Sequence, residues 1–359
     1  MEEQRRYEIA FSMIPNLKPT DARKLLEKVG SAETIIKDKL FHSIGNIPTD
    51  KLLKRADEEI EYCLKYTIKI RFLSDPDYPY RLSACEDAPL ILYGKGDSNL
   101  NAKQMLAVVG TRRSTPRGRE NTEVLIRDLA VLCPDIIIVS GLAYGIDITA
   151  HRASIEKKLN TVAVLAHGFQ QLYPPAHRQT ALEIIRNGSL LTELPSGTPS
   201  EGWRFIQRNR IVAGLCDACV VMESAEKGGS LHTAEMAVDY GREVFAYPGR
   251  PTDTSSQGCN LLIKNQSAAL IEEAEDILKA MNWLPAKRKK IIQQKLFSDI
   301  PQNQQALFDL INTDDSISLT ELSERSGFGI SEILSSVMQL ELMGLIQSLP
   351  GNLYSRKTI

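Results

Sequence analysis

Six short apolar runs between residues 106 and 281 constrain this chain more than any other feature of its sequence. They are Leu106–Val109, Ile136–Val139, Thr161–Ala166, Leu190–Leu191, Ala218–Met222 and Val244–Tyr247. Most are rich in β-branched residues and almost unbroken by polar ones, the pattern of strands buried on both faces. Helical periodicity fills the gaps, as with Val124, Leu125, Leu129 and Leu132. Strands that alternate with helices need crossover connections, and those run the strands parallel. The segment 67–281 therefore predicts a doubly wound, Rossmann-like α/β domain on a parallel sheet.

The flanks read differently. Residues 1–66 carry Ile9, Met13 and Leu17, then Leu25, Leu26 and Val29, at helical spacing. Breaks fall at Pro15-Asn16, Gly30-Ser31 and Ile44–Pro48, so a helical domain of helix-hairpin-helix type is expected. Residues 282–300 read as a linker, and its basic run Pro285–Lys290 as a solvated tether. In 301–359 three helical stretches, Gln304–Ile311, Leu319–Ser326 and Ser331–Met343, precede a segment that alternates around Pro350-Gly351-Asn352. That order predicts a winged helix-turn-helix.

Composition limits the function. Lys and Arg number 43 against 45 Asp and Glu, a net charge of −2. Global electrostatics cannot hold a polyanion, so any nucleic acid must be held by a local patch. No uncharged apolar stretch approaches the ~20 residues of a membrane span. The start, Met1 to Tyr7, has no apolar signal core, and a cytoplasmic protein is expected. Cys216 and Cys219 form a lone C-x-x-C with no second pair for zinc, and read as small buried hydrophobes. No metal and no cofactor is expected.

The unusual residues follow the strands. In an open parallel sheet, ligands bind outside the carboxyl ends. There the chain has Gly110-Thr111-Arg112-Arg113, Ser140-Gly141-Leu142-Ala143-Tyr144-Gly145, Lys227-Gly228-Gly229-Ser230 and Tyr247-Pro248-Gly249-Arg250. Gly-rich loops that open helices offer amides and a positive dipole end to an anion. The Gly141–Gly145 and Gly228–Ser230 loops have this form, with Arg112 and Lys227 on sister loops. Neither loop is a Walker sequence or a dinucleotide fingerprint. Arg204 and Arg208 would share a helix face, with Arg210 elsewhere, and one or two of the three are expected to pair with carboxylates such as Glu193. Asp147 is placed to cap or brace the Gly141 loop, with His151 as its hydrogen-bond partner. His232 lies near Ser230 without a third orienting group, and no hydrolytic constellation is evident.

At these loops the chain resembles the DprA/Smf DNA-processing family. The matching segments are Val109–Arg112, Ser140–Asp147 with Ala150-His151, Leu172-Tyr173-Pro174, Arg208–Ile211, Gly229-Ser230-Leu231 with Thr233-Ala234, and Tyr247-Pro248-Gly249. The resemblance runs from about residue 75 to 278 and extends to the layout, with a sterile-alpha-motif-like helical N-domain and a C-terminal winged helix. It implies a homodimer that takes up incoming single-stranded DNA, protects it and loads RecA recombinase during natural transformation, with no catalysis. By position it implies DNA contacts at Gly110, Thr111, Arg112, Gly141, Gly145, Arg210, Lys227, Gly229 and Ser230. Tyr144 stands where relatives often carry Arg, and would offer a stacking face instead of a charge.

Two further expectations follow. Residues 301–359 hold three basic residues and seven acidic ones, and Ser331–Met343 has no Lys or Arg. Duplex readers need phosphate neutralisation, so this winged helix is expected to bind protein or dock on the chain. The alternative activity is that of the lysine-decarboxylase-like phosphoribohydrolases, which cleave nucleoside monophosphates. Against it, Gly228–Glu235 lacks the second glycine of their loop, and Glu235 is displaced along the helix.

Overall fold

The computed structural model of the chain describes residues 2–41, 47–283, 302–311, 316–342, 345–349 and 353–356. The basic run at 285–290, the wing turn at 350–352 and the break at 44–46 lie outside them. The chain divides into two compact units, Met1–Pro285 and Ala286–Ile359.

The first unit opens with four helices: α1 (Glu2–Ser12), α2 (Pro19–Val29), α3 (Ala32–Lys37) and α4 (Thr49–Lys65). Gly30 closes α2 in the left-handed region, at φ 91°, the usual way to end a helix. Two strands follow, β1 (Lys69–Phe72) and β2 (Ile91–Gly96), with the short α5 (Tyr80–Ser83) between them. The α/β series comes next: β3 (Met105–Val109), α6 (Pro116–Leu132), β4 (Ile137–Ser140), α7 (Ile146–Glu156), β5 (Thr161–Val164), α8 (Arg178–Asn187), β6 (Ser189–Thr192) and α9 (Gly202–Leu215). It continues with β7 (Ala218–Val221), α10 (Gly229–Asp239), β8 (Glu243–Ala246), α11 (Gln257–Lys264), β9 (Ala269–Leu270) and α12 (Ala274–Ala280).

The nine strands form one sheet in the order β1-β2-β6-β5-β4-β3-β7-β8-β9. From β6 to β9 all pairs are parallel. The six strands read from the sequence run parallel as expected, and β1 and β2 are antiparallel additions at the sheet's edge. Running antiparallel, they need no crossover connection. The central strands β3, β4, β5 and β7 are buried along their whole length, which is why they read as apolar runs.

Strand order reverses between β3 and β7. The chain builds outward from β3 through β4, β5 and β6, then returns to β7 on the other side. The crevice outside their carboxyl ends is the topological switch point. One core layer packs α5, α9, α10 and α11 on the sheet, through Leu82, Ile211, Ala234 and Cys259. The other packs α6, α7 and α12, through Leu125, Ala150 and Ile277. The four N-terminal helices share a third core with Phe72 of β1 and Ile91 and Tyr93 of β2.

A buried carboxylate ties these helices to the sheet's rim. Glu59 of α4 accepts the Ser196 amide at 2.9 Å and its hydroxyl at 2.7 Å. Ser196 lies on the loop after β6.

The second unit contains α13 (Gln302–Leu310), β10 (Ile317–Ser318), α14 (Leu319–Ser326), α15 (Ile330–Leu342), β11 (Ile346–Leu349) and β12 (Leu353–Arg356). Three strands pair antiparallel in the order β10-β12-β11 against the helices, as in a winged helix. Its core gathers Leu307, Ile311, Leu322, Ile333, Val337 and Leu340. Ser318 caps α14 by accepting the Glu321 amide at 3.2 Å, and Gly327 ends it at φ 73°.

Replacing Glu59 by alanine leaves two buried donors on Ser196 without an acceptor. The expected loss is ~1–3 kcal/mol, read as a lower urea midpoint than that of the parent chain.

Candidate nucleic-acid interface

Arg112 and Lys227 extend from adjacent loops at the switch point. The first follows β3 and the second follows β7, and these strands are parallel neighbours. The loops are joined directly: the Thr111 amide donates to the Glu223 carbonyl at 2.7 Å, and the Thr115 amide to the Glu223 carboxylate at 2.9 Å. Arg112 and Lys227 are both exposed. Neither side chain has an ion-pair partner among the described residues. The two cations thus share one rim.

Beside Lys227, α10 begins at Gly229 with Gly228 as its cap. First-turn amides have no intrahelical acceptor, and those of Gly229 and Ser230 have none among the described residues. Amides left open at a helix start, with the dipole behind them, are a candidate anion cradle. A Cβ on Gly229 would meet nothing within 4 Å, so the space over it is open. The Ser230 hydroxyl, expected to contact DNA, turns inward and donates to Ser224 Oγ at 2.9 Å. Only the backbone of Ser230 faces the cradle.

The Gly141–Gly145 loop, also expected to be an anion cradle, is closed by the chain's own carboxylate. Asp147 accepts the Gly141 amide at 3.1 Å and the Ala143 amide at 3.4 Å. The Ile146 amide donates to the Thr111 carbonyl at 3.2 Å. Asp147 therefore braces the loop as expected and fills the place an external anion would take. Beneath it lies Arg208, buried, which donates to the Gly141 carbonyl at 2.6 Å and to the Val164 carbonyl. Burial pushes the Arg208 guanidinium down to about 10, with Asp147 opposing the shift and Arg112 adding to it. It stays charged at neutral pH. Burial pushes Asp147 up, with Arg208 and the loop amides pulling it back.

The glycines here serve loop against loop. A Cβ on Gly141 would lie 2.4 Å from the Arg208 guanidinium, and one on Gly110 would lie 2.4 Å from Ile146. Gly145 takes φ +78°, and its Cβ would strike the Thr111 carbonyl at 2.1 Å. Gly110 and Gly145 thus let the Arg112 loop sit close on its neighbour, and Gly141 makes room for Arg208.

His151 does not pair with Asp147. Its Nδ1 bonds Thr161 Oγ1 at 2.8 Å, and its Nε2 is buried without a partner. Burial and the Arg208 charge hold its pKa down at about 3, so the ring is neutral. His232 bonds Glu235 at 3.2 Å, both on the exposed side of α10. The carboxylate of the alternative activity is engaged there.

Arg210 corrects the expected DNA-binding set. It is buried, pairs with Glu193 and donates to the Asp87 carbonyl. A guanidinium with both acceptors inside the fold is unavailable to a phosphate. The reading that one of the three arginines pairs with Glu193 identifies this residue.

The sequence reading gave Tyr144 a stacking face but assigned no role to Phe205, Tyr173, Arg117 or Arg119. The Arg112 guanidinium lies 4.6 Å from the centroid of the Phe205 ring. Phe205 meets Tyr173 edge-on at 5.6 Å. Tyr173 is 43% exposed and Tyr144 45%, the latter edge-on to His177 at 4.8 Å. Arg113, Arg117, Arg119 and Arg250 are also exposed. Arg117 and Arg119 fall at the start of α6, where the dipole disfavours cations. That local conflict is the signal that could have found them.

Replacing Arg210 by alanine strands the buried Glu193 charge. The expected cost is ~3–5 kcal/mol of stability, measured by denaturant unfolding, with no change in the salt dependence of ligand binding by the folded fraction.

Comparison with known proteins places this geometry in context. The model of the family described as DNA recombination-mediator protein A matches residues 69–282, and that of the DprA winged helix domain matches 298–352. The chain is 40% identical to the DNA processing protein DprA of Bacillus subtilis over 210 residues, covering 58% of this chain and 70% of that one. It is 34% identical to protein Smf of Escherichia coli over 282 residues, covering 76% and 74%. Its fold matches the solved structure of Streptococcus pneumoniae DprA with a TM-score of 0.65 at 32% identity, covering 76% of this chain and 95% of that one. It also matches Helicobacter pylori DprA, described for its single-stranded DNA binding mode, with a TM-score of 0.55 at 27% identity, covering 61% and 97%. Matched by the family's models over residues 69–282 and 298–352, and 34% identical to a relative over about three quarters of both chains, the chain belongs to the DprA/Smf DNA-processing family.

Proposed function

We propose that this chain is a recombination mediator that holds single-stranded DNA by its sugar-phosphate backbone and breaks no bond. One observation carries the reading. Two cations without ion-pair partners among the described residues, Arg112 and Lys227, follow neighbouring strands at the switch point; a helix start with open amides follows Lys227, the Phe205–Tyr173 ring pair lies against Arg112, and Tyr144 is exposed on the loop after β4. Phosphates suit the cations and amides. Bases suit the rings, at ~1–3 kcal/mol for each stacked base. Such a rim selects for an unpaired strand, since a duplex hides its base faces, and it is tolerant of sequence because every base has a π-face.

The Helicobacter pylori relative, described as binding single strands, supports the choice of ligand. The family description, DNA recombination-mediator protein A, supports a mediator role; within that role we propose protection of incoming single strands, hand-over to RecA recombinase during natural transformation, and action as a cytoplasmic homodimer, as the sequence resemblance implies. No helix among the described residues is long and apolar enough to cross a membrane.

The winged helix fits a protein partner better than a duplex. Its α15 bears Glu332 and Glu341 and no Lys or Arg, and exposes Ile330, Leu334 and Met338 at intervals of one helical turn.

Binding to oligothymidylate is expected to weaken with salt, with log K falling ~0.7 per phosphate contact against log salt. Arg112→Ala and Lys227→Ala should each weaken binding and flatten that slope; parental slopes in both remove these residues from the site. Release of base from AMP, lost in Glu235→Ala, would replace the binding role with the phosphoribohydrolase one. A 301–359 fragment is expected to show no duplex binding at physiological salt in a gel-shift titration.

A further inference from the structure

A cleft of about 950 Å³ lies between the N-terminal helices and the loop after β6, and the rim described above does not use it. Its walls are the turn joining α1 to α2, the face of α4 that carries Arg55 and Tyr62, and the 193–199 backbone. At one side it reaches Trp203, Arg204 and Gln207 of α9. The Glu59–Ser196 bonds hold the walls together.

The charges in this cleft are unevenly committed. Glu59 is engaged by Ser196, and Glu193 by Arg210. Lys18 and Arg55 are exposed, and their side chains have no partner among the described residues. They face one uncommitted carboxylate, that of Glu58. The uncommitted charge is therefore positive.

Trp203 is 54% exposed. Its indole N–H donates to Glu201 at 2.7 Å, and the Arg204 guanidinium sits 4.5 Å from the ring centroid. An indole held in place yet left in water gains nothing for the fold. It lies two residues before Phe205 on the same helix, ~3 Å along the axis. Their side chains leave opposite sides of the helix, so cleft and rim lie on either side of one helix start, and the segment that gives Gln170 to the cleft gives Tyr173 to the rim.

We propose that the cleft is a second subsite for the same strand. A base leaving the rim stacks on Trp203, and the backbone beyond it runs between Lys18 and Arg55. This rests on the single-strand reading of the rim and extends it onto the N-terminal helices. Continuity with the rim favours the same polymer over an unrelated ligand.

The test uses the full chain and oligothymidylates of about 4 and about 16 nucleotides, the span of known single-strand site sizes. Trp203→Ala should weaken the longer oligomer roughly 5- to 100-fold. The pair Lys18→Ala with Arg55→Ala should lower its salt slope by ~1.4. Both variants should bind the shorter oligomer as the parent does. Trp203→Phe should keep the affinity for the longer oligomer while losing the tryptophan quench that accompanies binding. These side chains are exposed, so the fold is not at stake. Parental affinity and slope for the longer oligomer in both variants overturns the cleft proposal and leaves the rim intact. Equal weakening at both lengths also overturns it, by assigning these residues to the rim. A parent chain that binds neither length fails the rim itself.

Discussion

The rim depends on two buried side chains of opposite charge type. Arg208 and Asp147 lie beneath the loop after β4, and between them they engage Gly141, Ala143 and Val164. Four elements meet there: β4, β5, α7 and α9. Each ion would be costly to bury alone. Together, with backbone groups completing their hydrogen bonds, they fix the loop against which the Arg112 turn packs. On the proposed reading, a surface cation that grips a flexible polymer must itself be held still, and these two side chains supply the rigid support.

The loops divide the work by how their amides are committed. The Gly141–Gly145 loop and the α7 start are occupied by Asp147 and by the Thr111 carbonyl. The α10 start is open. Two Gly-rich loops that look alike in sequence thus differ in kind, one serving as a brace and the other as a cradle. Exposed rings extend the same edge toward α9, and the N-terminal helices close a cleft beyond it. The N-terminal segment and the α/β segment consequently share both a core and a surface.

The sheet was legible because its central strands are buried on both faces. That leaves apolar runs too short for helices and separated by helical periodicity. The winged helix was legible for a similar reason, through three helical stretches and an alternating pair of strands. The antiparallel β1 and β2 were not both readable. Four-residue β1, Lys-Ile-Arg-Phe, alternates over too short a span to stand out from the connector around it. Arg112, Lys227 and the Gly228–Ser230 turn could be placed, because strand ends in such sheets share one edge. Phe205 and Tyr173 could not, since their proximity to Arg112 depends on how α9 and the 167–178 segment fold over the sheet.

The amino-acid order by itself determined the fold class, the loops that gather at the sheet's carboxyl edge and the acidic character of the winged helix, because burial and charge act locally along the chain. Only the tertiary structure decided which charged groups were spent inside. Arg208 and Arg210 look as available in sequence as Arg112 and Lys227, but the fold gives Arg208 the Gly141 and Val164 carbonyls and Arg210 the Glu193 carboxylate. A side chain's freedom to meet a ligand is set by what the fold has already placed beside it.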